Sequence, residues 1–400
     1  MPAEVISLVR AAAGAASARG QWLYIVGGAV RDLLLGRPIV DLDLVVEGNA
    51  IALARHLAGA RGETVVAHRR FGTATFRLGD FSIDVVTARS ETYSRPGALP
   101  TVRPGTIGDD LLRRDFTVNA MAIPLGAGSP GDILDPHGGR DDLARGLIRV
   151  LHQGSFIDDA TRIMRALRYE GRLGFQVEEE TYSLMRDNVA MLGTISGDRV
   201  RRELELILGE DAPEHILRRA GEVGVLAELH PALRGDGGIE HRFSQARRRG
   251  SAEPALYLCL LAYDLTEEEG ERLISRLDVR GPLKRDIQDT LRLKGELPAL
   301  DRPHLPSAVY GALRRRSPRA VLACALSTGG EAARGHLERY LGQYRYVETC
   351  LDGDDLQAMG VAPGPGLGRM LKALHDARLD GAVSTREDEE ALVLAWMARR

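Results

Sequence analysis

Two hydrophobic periods alternate over the first 150 residues. Short runs rich in β-branched and aromatic residues, at 22–26, 40–46, 63–67, 73–78 and 82–86, read as strands. Stretches with apolar positions three and four apart, at 2–19, 29–35 and 49–58, read as helices. Together they predict a mixed α/β unit with a small sheet. Two segments rich in Pro and Gly, 95–108 and 126–139, read as loops. After Gly154 the period is helical: 157–172, 178–188, 197–208 and 212–221, then 254–262, 267–277, 285–293 and 305–315. The pattern predicts an α+β chain, with a sheet-bearing N-terminal part followed by an all-α array.

Composition narrows the class. At 400 residues, with 44% hydrophobic and 27% charged, the chain has the make-up of two to four globular domains and not of a disordered protein. Three cysteines, Cys259, Cys324 and Cys350, are too few for a disulfide scaffold. They read as reduced thiols of a cytoplasmic protein. No apolar run approaches the ~18 residues of a membrane span, and the N-terminus lacks the pattern of a secretory signal. Net charge is −3, yet Lys284, Lys294 and Lys372 are the only lysines among 53 basic residues. Codon bias accounts for that arginine excess, and so does a need for planar forks that grip phosphate.

Four constellations carry chemistry. In the first, Gly27 and Gly28 close a strand and open a helix, letting backbone N–H groups approach a triphosphate, with Arg31 in the first turn. Asp41 and Asp43 follow on an apolar strand, where period two puts both on one face. Alone they favour the reading of exposed acids on an edge strand; the upstream glycines reverse that in favour of a Mg²⁺ site for phosphoryl or nucleotidyl transfer. Asp84, a lone acid in an apolar strand, reads as a third carboxylate near that metal, as a group behind its ligands, or as a solvent-facing residue. In the second, Arg113 and Arg114 form a phosphate clamp, with Asp115 and Asn119 placed for ribose hydroxyls.

The third is the run 155–175. Asp159 and Arg162, three apart on an expected helix, meet on one face. Such a pair is often a surface ion pair. It also matches an amino donor beside a ring-nitrogen acceptor, which cytosine and adenine present and uracil and guanine do not. Asp158 is expected to orient Arg162 or its neighbours. In the fourth, Arg199 and Glu203 read as a brace for that helix or as an ordinary pair.

The ordered motifs Gly-Gly-x-Val-Arg-Asp, Asp-x-Asp, Arg-Arg-Asp-x-Thr-x-Asn-Ala, Asp-Pro-x-Gly-Gly and Asp-Asp-x-x-Arg resemble those of the class II tRNA nucleotidyltransferases and bacterial poly(A) polymerases. The likeness is dense over 24–208 and thin beyond. It implies a nucleotidyltransferase head at 1–125, a connection at 126–150 carrying Asp135, Pro136, Gly138 and Gly139, and a helical neck at 151–220. A helical body at 221–330 and tail at 331–400 would bind tRNA. It further implies two Mg²⁺ ions at Asp41 and Asp43, and triphosphate binding by Gly27, Gly28 and Arg31. Arg113, Asp115 and Asn119 would hold sugar and phosphates. Asp159 and Arg162 would read the base of CTP or ATP, with Arg165 and Arg168 on the same helix.

The implied reaction adds the 3′-terminal CCA, or part of it, to tRNA without a nucleic-acid template. The implied partner is the tRNA acceptor–TΨC region, with no membrane and no obligate protein partner. Arg247, Arg248 and Arg249, and Arg314, Arg315 and Arg316, are the visible basic clusters for it. The stretch His68-Arg69-Arg70-Phe71-Gly72 lacks the leading Gly of the comparable poly(A) polymerase element, which favours tRNA repair. In the resembling family a flexible loop between the metal strand and the Arg-Arg-Asp motif switches C to A. Here that stretch, 87–108, holds Pro96, Pro100 and Pro104 and is stiff. CC-only, A-only and poly(A) addition therefore stay open, as do an RNA-binding scaffold and a small-molecule transferase.

Overall fold

A computed structural model describes residues 3–39, 41–126 and 131–398. The expected element starts at Pro2 and Val40, and residues 127–130 of the second expected loop, lie outside the described residues. The chain divides into two compact units, Met1–Glu228 and Leu229–Arg400.

In the first unit, chain order runs α1 (Ala3–Ser17), β1 (Trp22–Val26), α2 (Gly28–Leu34), β2 (Asp41–Glu47), α3 (Ala50–Gly59), β3 (Val66–His68), β4 (Thr73–Leu78) and β5 (Phe81–Thr87). Then come β6 (Arg89–Thr92), β7 (Thr101–Pro104), α4 (Ile107–Leu112) and β8 (Ala122–Pro124). Six strands form one sheet in the order β3-β4-β5-β2-β1-β8. β2 and β5 are parallel, and the other neighbours are antiparallel.

Strand β2 shows why its sequence pattern works. Leu42, Leu44 and Val46 are fully buried, while Asp41 is exposed and Asp43 half-buried on the alternate face. Each buried leucine is worth about 2 kcal/mol of burial, which sets the register and so aims both aspartates. The opposite side of the sheet is covered by α1 against β1 and by α3 against β4 and β5.

Two expectations change here. The strand expected at 63–67 is only Val66–His68, a short edge strand whose polar lead-in adds nothing to bury. The loop expected at 95–108 contains β7, which pairs with β6 as an antiparallel ribbon running from Arg89 opposite Pro104 to Thr92 opposite Thr101. Its Pro and Gly residues hide a strand of only four residues.

Downstream of the head sheet lie α5 (Gly139–Arg145), β9 (Leu147–Ile148), α6 (Ser155–Asp158), α7 (Thr161–Leu173), β10 (Gln176–Val177), α8 (Glu179–Asp187), α9 (Gly197–Leu208) and α10 (Pro213–Val223). Asp135 caps α5 by accepting from the N–H groups of Gly139 (2.6 Å) and Arg140 (2.9 Å). A Cβ on Gly139 would stand 2.3 Å from the Thr117 carbonyl oxygen, so that position admits only glycine. Helix α7 packs on α9 and α10.

The helix expected at 157–172 is broken. Asp159 is extended (φ −146°, ψ 97°), and its carboxylate accepts from the Thr161 N–H (3.0 Å) and hydroxyl (2.6 Å). A short acid that bonds the backbone two residues on starts a helix more readily than it continues one. The second unit is helical; one of its cores gathers Leu293, Leu297, Val309, Leu313, Val321 and Leu337.

Candidate active site

A cavity of about 550 Å³ opens over the face of β2 that carries the acids, within the size range of small-ligand sites. It gathers residues far apart in the chain: Gly27 and Gly28, Asp43, the pair Arg113–Arg114, Asp115 with Asn119, and Asp159, Arg162 and Arg165. Arg31, Asp41, Asp84 and Arg168, also singled out in the sequence, do not line it.

The glycine turn brings the cavity's floor together. Gly27 has φ +69°, and a Cβ there would lie 2.6 Å from Arg114 Nη1 and 3.5 Å from Asp43 Oδ2. The backbone is thus bare where a cation and an acid meet. Gly27→Ala is expected to cost on the order of 1–3 kcal/mol of stability and to displace Arg114. A urea midpoint and an incorporation rate measured on one preparation check both effects.

Asp43 is held against its preference. Burial pushes the Asp43 carboxyl up; Arg114 opposes that, while Asp84, Asp41 and Asp110 add to it. Asp84 stands directly opposite Asp43 in the β2–β5 register. A carboxylate driven toward protonation by burial and by like charges is one that a divalent cation keeps ionised, so this donor set fits Mg²⁺. Asp84 accepts from the Thr75 hydroxyl. Among the described residues no three His, Cys, Asp or Glu side chains converge on a metal position. Asp84 thus lies beside Asp43 on the same face, where its charge raises the Asp43 carboxyl and its own carboxylate is held by Thr75.

Arg113 and Arg114 are fixed from behind. Asp110, fully buried, accepts from Arg113 (2.6 and 3.0 Å) and from Arg114 (2.8 and 3.3 Å). Burial works against its charge, but the two guanidinium groups hold its carboxyl below the usual range. Arg113 also donates to Glu91 of β6 (3.3 Å), which accepts from Arg89 (3.1 Å) and the Tyr93 hydroxyl (3.0 Å).

Asp115 and Asn119 form a second buried layer. Asp115 accepts from Arg165 at 2.6 and 3.0 Å and from Asn119 at 3.0 Å. Asn119 in turn accepts from Arg31 at 2.7 Å. Arg31 is 4% exposed, and its fork is taken up by Asp32 and Asn119. Arg31 props Asn119 from below, one layer beneath the residues that line the cavity. Arg168 is likewise buried, 3.5 Å from Glu210 and 3.9 Å from Glu203. Arg31, Arg165 and Arg168 all stand over the Tyr169 ring, at 5.2, 5.7 and 5.1 Å.

Burial pushes the Asp115 carboxyl up, but Arg165, Asn119 and Arg162 prevail and hold it at about 2. Its folded value is depressed, so its stabilisation is complete above pH ~4 and is lost as pH falls toward 2. Asp115→Asn leaves Arg165 without its nearest charge partner. It is expected to cost roughly 3 kcal/mol at neutral pH and to flatten the acid limb of stability between pH 4 and 2. Chemical denaturation at pH 7 and pH 3 measures both.

Asp159 and Arg162 are not paired with each other. The second Asp159 oxygen accepts from Arg199 at 2.7 Å. Arg162 donates to the Ser155 hydroxyl (2.6 Å) and the Arg113 carbonyl (2.7 Å). The expected helical pairing is thus replaced by two groups fixed separately, each with bonding capacity to spare. Asp158 faces His152 at 3.8 Å and does not orient Arg162. Arg199 and Glu203 act as the brace: Glu203 lies 3.6 Å from Arg165, and burial pushes its carboxyl up. Glu91, Tyr93, Asp110 and Tyr169 carried no motif signal; only the pairing of β6 with β7 and the ring beneath three arginines reveal them.

In the second unit, Arg247 and Arg248 end the helix Gly237–Arg248, and Arg249 pairs with Glu338. Arg314 and Arg315 are exposed, while Arg316 pairs with Asp289 and Glu296. Arg249 and Arg316 are thus engaged within their own unit. Among the described residues no helix is long and apolar enough to cross a membrane.

Known proteins are similar to this chain over most of its length. The family described as Poly A polymerase head domain matches residues 23–149. The one described as Probable RNA and SrmB- binding site of polymerase A matches 174–235. An A-adding tRNA nucleotidyltransferase of Geobacter sulfurreducens is 35% identical over 92% of this chain, which spans 44% of that protein's length. One from Halalkalibacterium halodurans is 33% identical, covering 92% of this chain and 86% of that protein. A CC-adding tRNA nucleotidyltransferase of Deinococcus radiodurans is 33% identical, with 94% and 89% covered. The Thermotoga maritima CCA-adding enzyme complexed with tRNA superposes with a TM-score of 0.76 at 31% identity, with 99% and 96% covered. The chain belongs to the tRNA nucleotidyltransferase family.

Proposed function

We propose that this protein extends the 3′ end of tRNA by nucleotidyl transfer from a nucleoside triphosphate, choosing the base with its own side chains. The observation that carries this reading is the cavity itself. Asp43 and the Gly27–Gly28 turn share it with Asp159 and Arg162, so a triphosphate lying over the first pair places its base at the second. Arg162 presents guanidinium N–H groups to a ring nitrogen, and Asp159 presents oxygen to an exocyclic amine; adenine and cytosine satisfy both.

Asp41 and Asp43 would hold Mg²⁺, two ions in our reading, which supplies charge neutralisation at the reacting phosphate. The chain's own groups do the rest. Gly27 and Gly28 offer open backbone to the phosphates. Arg113 and Arg114, fixed on Asp110, neutralise charge as the RNA 3′-oxygen bonds the α-phosphorus and pyrophosphate leaves. Such work on tRNA belongs to the cytoplasm. Contacts with the tRNA acceptor–TΨC region fall in our reading to the helical part, at Arg248, Arg314 and Arg315 among others.

The ribbon supports addition of a single kind of nucleotide, and the A-adding relatives favour A as that nucleotide. The stretch assigned to the C-to-A switch is paired as β6–β7. Arg89 anchors it to the Phe71 carbonyl (2.9 Å), and the Gly105 N–H donates to the Ala88 carbonyl (2.8 Å). A segment tied at both ends favours one base register. Transcripts ending at the discriminator base, in C, or in CC, each given CTP, ATP or both with Mg²⁺, test this. One A added only to the CC end supports it. Two Cs then A, or C alone, would assign CCA or CC addition, and long A tails poly(A) synthesis. No incorporation on any transcript would remove the transferase reading.

A further inference from the structure

A second cavity of about 490 Å³ lies on the head and shares no lining residue with the first. The two adjoin at β6, where Arg89 lines one, Glu91 lines the other, and the two side chains are bonded. Its floor is built from backbone. The Thr87 N–H donates to the Gly72 carbonyl (3.0 Å), and the Thr87 hydroxyl donates to the Gly48 carbonyl (2.9 Å) and accepts from the Ala50 N–H (3.3 Å).

Four arginines line this cavity, Arg69, Arg70, Arg89 and Arg103, and no carboxylate does. Only Arg89 is engaged, by Phe71 and Glu91. Arg69, Arg70 and Arg103 are exposed, and their side chains make no hydrogen bond or ion pair with any described residue. Arg70 stands 5.5 Å over the Phe71 ring. The catalytic cavity is the contrast: there Arg113, Arg114, Arg162 and Arg165 each have fixed acceptors. Three unneutralised guanidinium groups around one concavity, in a chain of net charge −3, are placed for phosphate.

We propose that this cavity binds the phosphodiester backbone of single-stranded RNA, with Phe71 available to a base, as a site distinct from the catalytic one. A pocket for a small polyphosphate would converge fixed donors on one point. Here the cations are long, unpinned and carried on separate elements beside an aromatic ring, which is how a groove follows a strand. The site rests on the reading that the substrate is RNA, and it provides the head with its own hold on that RNA.

The test compares the full chain with an Arg69→Ala, Arg70→Ala, Arg103→Ala variant and with the matching triple Lys variant. All three side chains are exposed and unbonded, so the fold is expected to persist, as a thermal melt will show. The Ala variant is expected to raise KM for tRNA about tenfold while kcat and KM for the nucleotide stay within about twofold. The slope of log affinity against log salt should fall by about 2, since each lost contact removes ~0.7–0.9. The Lys variant should keep most of the affinity. Unchanged RNA affinity and salt slope in the Ala variant would overturn the proposal. So would a rise in nucleotide KM, or lost inhibition by tripolyphosphate, with RNA affinity intact. Wild-type protein inactive on every tRNA would sink the parent reading instead, which this comparison registers separately.

Discussion

Asp43→Asn is expected to abolish nucleotide incorporation, by a thousandfold or more, without unfolding the protein. The asparagine has the shape of the aspartate but cannot hold a divalent cation beside a phosphate. Losing the several kcal/mol of charge stabilisation that such a site supplies is worth about three decades of rate at ~1.36 kcal/mol each. Stability should respond in the opposite direction. Burial, Asp84 and Asp41 all push the Asp43 carboxyl up, and only Arg114 pulls it down. A neutral side chain relieves that conflict, so the melting temperature should hold or rise slightly, as when a strained functional group is removed. Single-turnover incorporation and a thermal melt on the same sample separate this from simple unfolding. Activity within tenfold of wild type would remove Asp43 from the reaction.

Arg162→Ala is expected to collapse base selection more than overall rate. Arg162 is held by Ser155 and by the Arg113 carbonyl and makes no ion pair with Asp159, so its remaining N–H groups are free for a base. Removing one fixed donor to a buried acceptor costs roughly 1–3 kcal/mol, or about ten- to a hundredfold in the preference for A over G. Arg162→Lys should fail to restore it, because an ammonium cannot reproduce the planar fork that bridges Ser155, the Arg113 carbonyl and a base. Ratios of kcat/KM for the four nucleoside triphosphates read this directly. An equal loss for every base would reassign Arg162 to structural support alone.

The regular strands and helices, and many of the residues that line the cavity, were legible in the sequence because they are written locally. Trp22–Val26, Thr73–Leu78 and Gly197–Leu208 appear with the bounds that their periodicity predicts. Gly27, Asp43, Arg113, Asp115, Asn119, Asp159 and Arg162 do meet in one cavity. What the sequence hid is long-range. Asp159 carries helical spacing, but its carboxylate competes for the Thr161 N–H and breaks the helix. Arg31 also donates to Asn119, 88 residues away, a bond that no local motif shows. Glu91 and Tyr93 come from a ribbon whose second strand is disguised by prolines. Tyr169 matters only because three arginines from two helices converge on it.

The central claim is that this protein's side chains, and no nucleic-acid template, choose the base added to tRNA. Single-turnover incorporation of each of the four nucleoside triphosphates into a tRNA transcript ending in CC, with Mg²⁺, tests it most directly. The account predicts one A added and no more, with G and U slower by at least about a hundredfold, and this preference lost in Arg162→Ala. Comparable incorporation of all four bases by the wild-type protein, or an unchanged preference in the Arg162→Ala protein, would contradict it.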